Sequence, residues 1–116
     1  MIQNNIDWLA GLLEGEGCFS IQRPNRKGRS PYPTITLAMT DEDIVRHAAE
    51  IFGITYRHHK YTKSFKSVWV CTVTCSRAET WMTILRPYMG KRRQQQIDAA
   101  LKYRPKWRLK LRGTRE

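Results

Sequence analysis

The sequence contains no apolar run near the ~20 residues a membrane-spanning helix needs. Its opening residues, Met1-Ile2-Gln3-Asn4-Asn5, lack the basic-then-apolar layout of a secretory signal. These absences lead us to expect a chain that is not secreted, engages no membrane, and works in the cytoplasm of a bacterial or phage host cell or in an organelle. Cysteine is scarce. Cys18, Cys71 and Cys75 are odd in number and form no CxxC pair, which argues against a disulfide framework and a structural zinc site. Cys71 and Cys75 would share one strand face, too far apart to bridge. His47, His58 and His59 lack zinc-ligand spacing. Acidic residues are also few: 10 against 21 Lys plus Arg, a formal net charge of +11 in 116 residues.

Such an imbalance calls for a polyanionic partner. A membrane-surface protein would concentrate its cations on one amphipathic helix. Here they are spread over expected strands, loops, a helix and the tail, which favours a long nucleic-acid contact. The length allows one domain with one modest core.

The pattern along the chain predicts α-β-β-α-β-β-α-α. Asn4 or Asn5 can cap a first helix running to about Gly15. Gly17 to Arg23 alternates, with Phe19 and Ile21 on one face. Pro24 to Pro31 is a basic, turn-rich loop. Tyr32 to Met39 alternates again, with Ile35, Leu37 and Met39 as its apolar set. Thr40-Asp41-Glu42-Asp43 reads as a helix start, and Ile44, Ala48, Ile51 and Phe52 as that helix's inner face, ending at Gly53. Ile54 to Thr62 reads as a third strand with Tyr56, His58 and Lys60 on its polar face. Lys66 to Cys75 reads as a fourth, with Trp69, Cys71, Val73 and Cys75 on one face. Ser76 to Glu79 reads as a capping box. It opens a helix carrying Trp81, Ile84 and Leu85, disturbed by Pro87. A last helix starts near Lys91, with Ile97, Ala100 and Leu101 inside.

The expected fold is therefore α+β: a four-stranded antiparallel sheet with helices on one face and the other face open. The open face is expected to carry Ser20, Gln22, Tyr32, Thr34, Thr36, Tyr56, His58 and Lys60. A twisted sheet of this kind can enter a DNA groove. Arg23, Arg26, Lys27 and Arg29, and with them Lys66, Arg92 and Arg93, are expected to contact the phosphate backbone.

One segment resists a purely structural explanation. Trp8 to Leu13 is an apolar helical run ending in Glu14-Gly15-Glu16-Gly17. Carboxylates face the negative pole of the helix dipole there, and glycine weakens a helix. Acidic oxygens with close backbone approach at such a point suit a hard cation.

Leu9-Ala10-Gly11-Leu12-Leu13-Glu14-Gly15-Glu16-Gly17 closely resembles the motif that names the LAGLIDADG homing endonucleases. Cys18 to Ile21, Thr40 to Asp43, Pro87-Tyr88 and Lys91-Arg92-Arg93-Gln94 also fit. The resemblance spans about residues 6 to 103, so 1–103 is expected to be one endonuclease domain of the αββαββα type with a saddle-shaped sheet, and 104–116 a basic C-terminal tail. The resemblance implies a sequence-specific double-strand DNA endonuclease using Mg²⁺ or Mn²⁺. Since the chain has one motif, it also implies a homodimer on a roughly palindromic site. Glu16 is the implied catalytic metal ligand, with the Gly15 carbonyl facing the metal and Glu14 structural. Lys91, or Arg92 one residue on, is implied in the catalytic pocket, and Asp41 as a water-orienting group. Leu9, Gly11, Leu12 and Gly15 are implied at the dimer interface. The alternative is a nucleic-acid-binding protein of the same fold without cleavage: a transcription regulator, or an intron maturase whose partner would be RNA.

Overall fold

The computed structural model describes residues 3–24, 30–60 and 67–102. Helix α1 (Gln3–Glu16) runs directly into strand β1 (Gly17–Gln22). It is followed by β2 (Tyr32–Met39), helix α2 (Glu42–Phe52), β3 (Arg57–Lys60), β4 (Ser67–Thr74), helix α3 (Cys75–Leu85), a 3-10 turn at Arg86–Tyr88, and helix α4 (Lys91–Lys102). The strands form one antiparallel sheet in the order β1-β2-β4-β3. Two hairpin-like pairs are thus joined by their later strands, leaving β1 and β3 as edges.

One face of the sheet is covered by helices. Phe19, Ile35, Leu37, Cys71 and Val73 from the strands join Leu9 and Leu13 of α1, Val45, Ala48 and Phe52 of α2, Trp81, Met82 and Leu85 of α3, and Ile97 of α4 in one buried cluster. Phe52 and Trp81 meet edge to face at 5.1 Å, an arrangement aromatic quadrupoles favour. Burial pushes the Cys71 thiol up to about 11, because low-dielectric surroundings disfavour the thiolate. All three cysteines are free.

The structure corrects several local expectations. The inner face of α2 is Val45, Ala48, Ala49 and Phe52, with Ile44 and Ile51 only partly covered. Its N-cap is Asp41, without a side-chain cap bond. The Ser76–Glu79 capping box does not form: α3 begins at Cys75, behind Thr74, which makes no side-chain cap bond. Cys75 does not continue β4. It turns the chain straight from strand into helix with φ 60°, a left-handed conformation that is uncommon for residues with a Cβ. The third strand is shorter than expected and starts at Arg57, with Thr62 outside the described residues. The loop cations Arg26, Lys27 and Arg29, together with Lys66 and residues 104–116, also lie outside the described residues.

The passage from α1 to β1 occurs without a loop, and Gly17 permits it. A Cβ at Gly17 would lie 2.7 Å from Leu13 Cδ2, 2.9 Å from the Leu13 carbonyl oxygen and 3.0 Å from its Cα. Two of those atoms are backbone and cannot step aside. Gly17→Ala is therefore expected to destabilise the fold by ~1–3 kcal/mol through overpacking, measured by chemical denaturation. Gly11→Ala is the control, since its Cβ would meet nothing within 4 Å in the subunit.

Candidate functional site

Helix α1 buries Leu9, Ala10 and Leu13 and leaves Gly11, Gly15 and Glu16 exposed, with Leu12 intermediate. Leu9 is 0% exposed inside its own subunit. It is a core residue, so the expected interface set reduces to Gly11, Leu12 and Gly15. Nothing within 4 Å would meet a Cβ at either glycine. Their side of the helix is bare, and another backbone could approach it closely.

The two carboxylates at the end of α1 have different surroundings. Glu14 turns back onto the protein. Its Oε1 accepts the Gly90 N–H at 2.5 Å, and its carbonyl accepts Nε–H of Arg93 at 3.0 Å. Arg93 is 7% exposed and also donates from Nη1 to Gln96 Oε1 at 2.9 Å. A guanidinium on one of the last helical carbonyls caps the chain end and counters the negative pole of α1. Gly90 fits tightly here, since a Cβ would lie 3.2 Å from Glu14 Oε1. Arg93 was expected to face phosphate. The structure instead uses it internally, because α4 buries Arg93, Ile97 and Ala100 along one stripe.

Glu16 makes no hydrogen bond or ion pair with any described residue. It stands exposed where β1 begins. Gly17 pairs with Leu37, so the start of β1 lies beside the end of β2, and Asp41 follows that end by two residues as the exposed N-cap of α2. The Glu14 contacts bring the start of α4, with exposed Lys91 and Arg92, to the same end of the sheet. A second brace fixes the 3-10 turn leading there. Arg86 donates from Nε and Nη2 to the Asp98 carboxylate at 2.7 and 2.8 Å, and Gln94 Nε2 donates to the Arg86 carbonyl at 3.0 Å. The Arg86 hydrogen bonds, with the charges of Arg86 and Lys102, hold the Asp98 carboxyl below its ordinary range.

Among the described residues no group of three or more His, Cys, Asp or Glu side chains could hold a metal ion. Exposed Glu16 can still supply one oxygen ligand. Mg²⁺ commonly takes only one or two carboxylates and fills its other positions with water and phosphate oxygens. The donor set therefore suits a hard divalent cation completed by groups from outside the subunit.

The open face is set by register. Cys18, Ser20 and Gln22 of β1 lie opposite Thr36, Thr34 and Tyr32 of β2. Thr34, Thr36 and Ala38 lie opposite Thr74, Thr72 and Val70 of β4, and Val70 and Val68 lie opposite Arg57 and His59 of β3. Directly paired residues share a face. Ser20, Gln22, Tyr32, Thr34 and Thr36 thus fall on one face as expected, but Thr34 is only 4% exposed and its hydroxyl is hydrogen-bonded to that of Ser20 at 3.1 Å, so it supports the face and does not present a contact. Arg23 follows β1 and is exposed.

The β3 contribution is reversed. His58 pairs with Trp69 and Lys60 with Ser67, on the helix-covered side. The His58 ring lies 4.5 Å from Trp69, and Tyr56 lies 5.9 Å from it and donates to Glu42 Oε2 at 3.0 Å. Arg57 and His59 take their place on the open face. The parity of Ile54 and Tyr56 carried the missing signal, since two consecutive apolar even positions belong toward the core.

The family model "LAGLIDADG endonuclease" matches residues 9–104. The chain belongs to the LAGLIDADG endonuclease family. Solved structures share its fold. The homing endonuclease I-CvuI, in complex with its target in the presence of Ca, matches with TM-score 0.67 and 23% identity over 86% of this chain and 65% of that one. The archaeal intron-encoded homing endonuclease I-Vdi141I, complexed with DNA, gives TM-score 0.62 and 16% identity over 82% and 64%. The group I intron-encoded homing endonuclease I-CeuI, complexed with DNA, gives 0.57 and 16% over 84% and 52%. The chain thus spans less than two thirds of the length of these proteins. No curated protein sequence matches it.

In this LAGLIDADG chain, removing the Arg93 guanidinium leaves the end of the motif helix uncapped. Arg93→Met is expected to cost ~2–3 kcal/mol in denaturation, while Arg92→Met, at an exposed neighbour, costs little. The Arg86–Asp98 brace has a defined pH dependence. The folded carboxyl is held below its unfolded value of ~3.9, so its contribution is complete above that value and is lost as pH falls through the folded one. Asp98→Asn is expected to be less stable than the parent at pH 7, with the gap closing as pH falls below the unfolded value of ~3.9 and through the lower folded one. Thermal melts across that range check this.

Proposed function

We propose that this chain is a sequence-specific DNA endonuclease that depends on Mg²⁺ or Mn²⁺ and cuts as a homodimer on a roughly palindromic double-stranded site. The observation that carries the proposal is the end of α1. A bare glycine face, with Gly11 and Gly15 open to close approach, leads directly to an exposed carboxylate on Glu16, beside the open sheet face. Two copies meeting along that face would bring their Glu16 side chains together on the symmetry axis. The DNA complexes of I-CvuI, I-Vdi141I and I-CeuI support the nucleic-acid reading, as does the net charge of +11.

In this reading the sheet lies in the major groove, which admits β-ribbons. Ser20, Gln22, Tyr32, Thr36, Arg57 and His59 face base edges, with buried Thr34 positioning Ser20. Arg23 and Arg92 contact phosphates, along with the loop cations and Lys66. Glu16, with the Gly15 carbonyl beside it, would hold the metal. The bound ion would supply charge neutralisation at phosphorus and a more acidic water. Lys91 adds positive charge beside the scissile phosphate, and Asp41 orients water by accepting its hydrogen bond. Glu14 and Arg93 touch neither substrate nor metal; they set where Lys91 stands relative to Glu16.

Glu16→Gln keeps the size and shape of the side chain and replaces one carboxylate oxygen with an uncharged NH2 group. It is expected to abolish Mg²⁺-dependent cleavage of a selected duplex, by at least ~100-fold, while gel-shift affinity in Ca²⁺ stays close to that of the parent. Cleavage by this variant at the parental rate would remove Glu16 from the catalytic site.

A further inference from the structure

At the β3 edge, the open face holds a shallow cavity of about 170 Å³ lined by Thr55, Tyr56, Arg57, Val70 and Thr72. Arg57 and Val70 are direct cross-strand partners, and Thr72 lies on the same face of β4. Thr55 precedes Arg57 by two positions and lines the same cavity as Thr72. The Tyr56 ring packs against Trp69, on the helix-covered side. Val70 is 8% exposed and forms the floor. Thr55, Arg57 and Thr72 are exposed at the rim, and Arg57 makes no ion pair with any described residue.

The chemistry of this cavity is unlike that of the neighbouring face, where Ser20, Thr36 and Thr74 present hydroxyls. An apolar floor gains by taking up a methyl group and releasing water. A guanidinium fork beside it matches the two acceptors, O6 and N7, that guanine shows in the major groove. Methyl groups in that groove belong to thymine. Cross-strand partners stand ~5 Å apart, near the ~3.4 Å spacing of stacked base pairs. Arg57 and Val70 can therefore meet consecutive base pairs. A phosphate would satisfy Arg57 but would have no use for the valine floor.

We infer that Arg57 and the cavity floored by Val70 form a specificity pocket for a guanine adjacent to a thymine, read at the thymine 5-methyl group. The inference rests on the endonuclease reading, and its test separates the two. Bound duplexes are selected from a randomised library with the full chain in Ca²⁺, for the parent and for Arg57→Lys, which keeps the charge and removes the fork. The parent is expected to enrich a thymine–guanine step at one fixed position of each half-site. Arg57→Lys is expected to lose guanine enrichment there and to keep its preferences elsewhere. In the selected duplex, deoxyuridine for that thymine should weaken parental binding ~4-fold, the worth of one buried methyl. Replacing the guanine with 7-deazaguanine should weaken the parent ~5-fold or more and leave Arg57→Lys nearly indifferent. If both proteins select the same bases at every position, or deoxyuridine binds as well as thymine, the pocket is overturned while the endonuclease reading stands. If the parent enriches no duplex, the endonuclease reading falls and the pocket with it.

Discussion

Glu14 is the joint on which this molecule turns. Its side chain takes the Gly90 N–H and its carbonyl takes the Arg93 guanidinium, so one residue ties the end of the first helix to the start of the last. Those two points are 76 and 79 residues away in sequence. Without the tie, α1 would end in two carboxylates against its own negative pole, and α4 would begin with a run of cations facing its own positive pole. Each end places like against like. Brought together, the cationic start of α4 and the acidic end of α1 offset one another, and the unfavourable ends become a favourable junction. Gly17 then lets the chain leave that junction directly as the first strand.

The same joint explains why a chain so poor in acid can expose a carboxylate. Of 10 Asp and Glu residues, several have local work. Glu14 holds Gly90, Asp98 holds Arg86, Glu42 accepts from Tyr56, and Asp7 accepts from Gln3. Glu16 has no such partner among the described residues, although the net charge is +11. A lone carboxylate in a positive field attracts cations more weakly than one in a neutral protein, so Glu16 alone makes a poor metal site. In the proposed function, DNA phosphates and a second carboxylate would make it a useful one, because they would raise the local negative charge that a divalent ion needs. On that proposal the protein's shortage of acid would couple metal binding to substrate binding.

How much of this was legible in the sequence depended on whether a signal was local or shared between elements. The helix at Lys91 and the break at Pro87 were readable, because periodicity and proline act on their own neighbours. So was the inner face of β1 and β2, where Phe19, Ile35 and Leu37 alternate cleanly with polar residues. The fourth strand was less clear, since Val68 and Val70 make its outer face apolar too. The β3 register was misread because four exposed polar residues, Arg57 to Lys60, carry no hydrophobic alternation, so their parity depends on Tyr56 and Trp69 meeting across strands. The capping Thr40 and the Ser76–Glu79 capping box were misread for a related reason: the turns into α2 and α3 follow directly on the strand ends, and neither N-cap makes a side-chain cap bond. Arg93 looked like one more cation in a basic run. Only the partnering of α1 with α4 makes it internal.

The corrected register changes what the proposed nucleic-acid face could recognise. With His58 and Lys60 outward, the β3 edge would be a cationic strip, good for phosphate contact and blind to sequence. With Arg57 and His59 outward, opposite Val70 and Val68, the edge pairs each polar side chain with an apolar neighbour on the same face. Val70 is buried and Val68 half-buried, so these valines form a recessed apolar floor between the polar side chains. Such a floor suits a groove that presents methyl groups next to hydrogen-bonding edges. The hydroxyl-rich centre, by contrast, can accept or donate with little discrimination between bases. On the proposed function, specificity is therefore expected to be uneven across the sheet: permissive near the middle and strict toward the β3 edge, farthest across the sheet from β1, the strand that leaves α1.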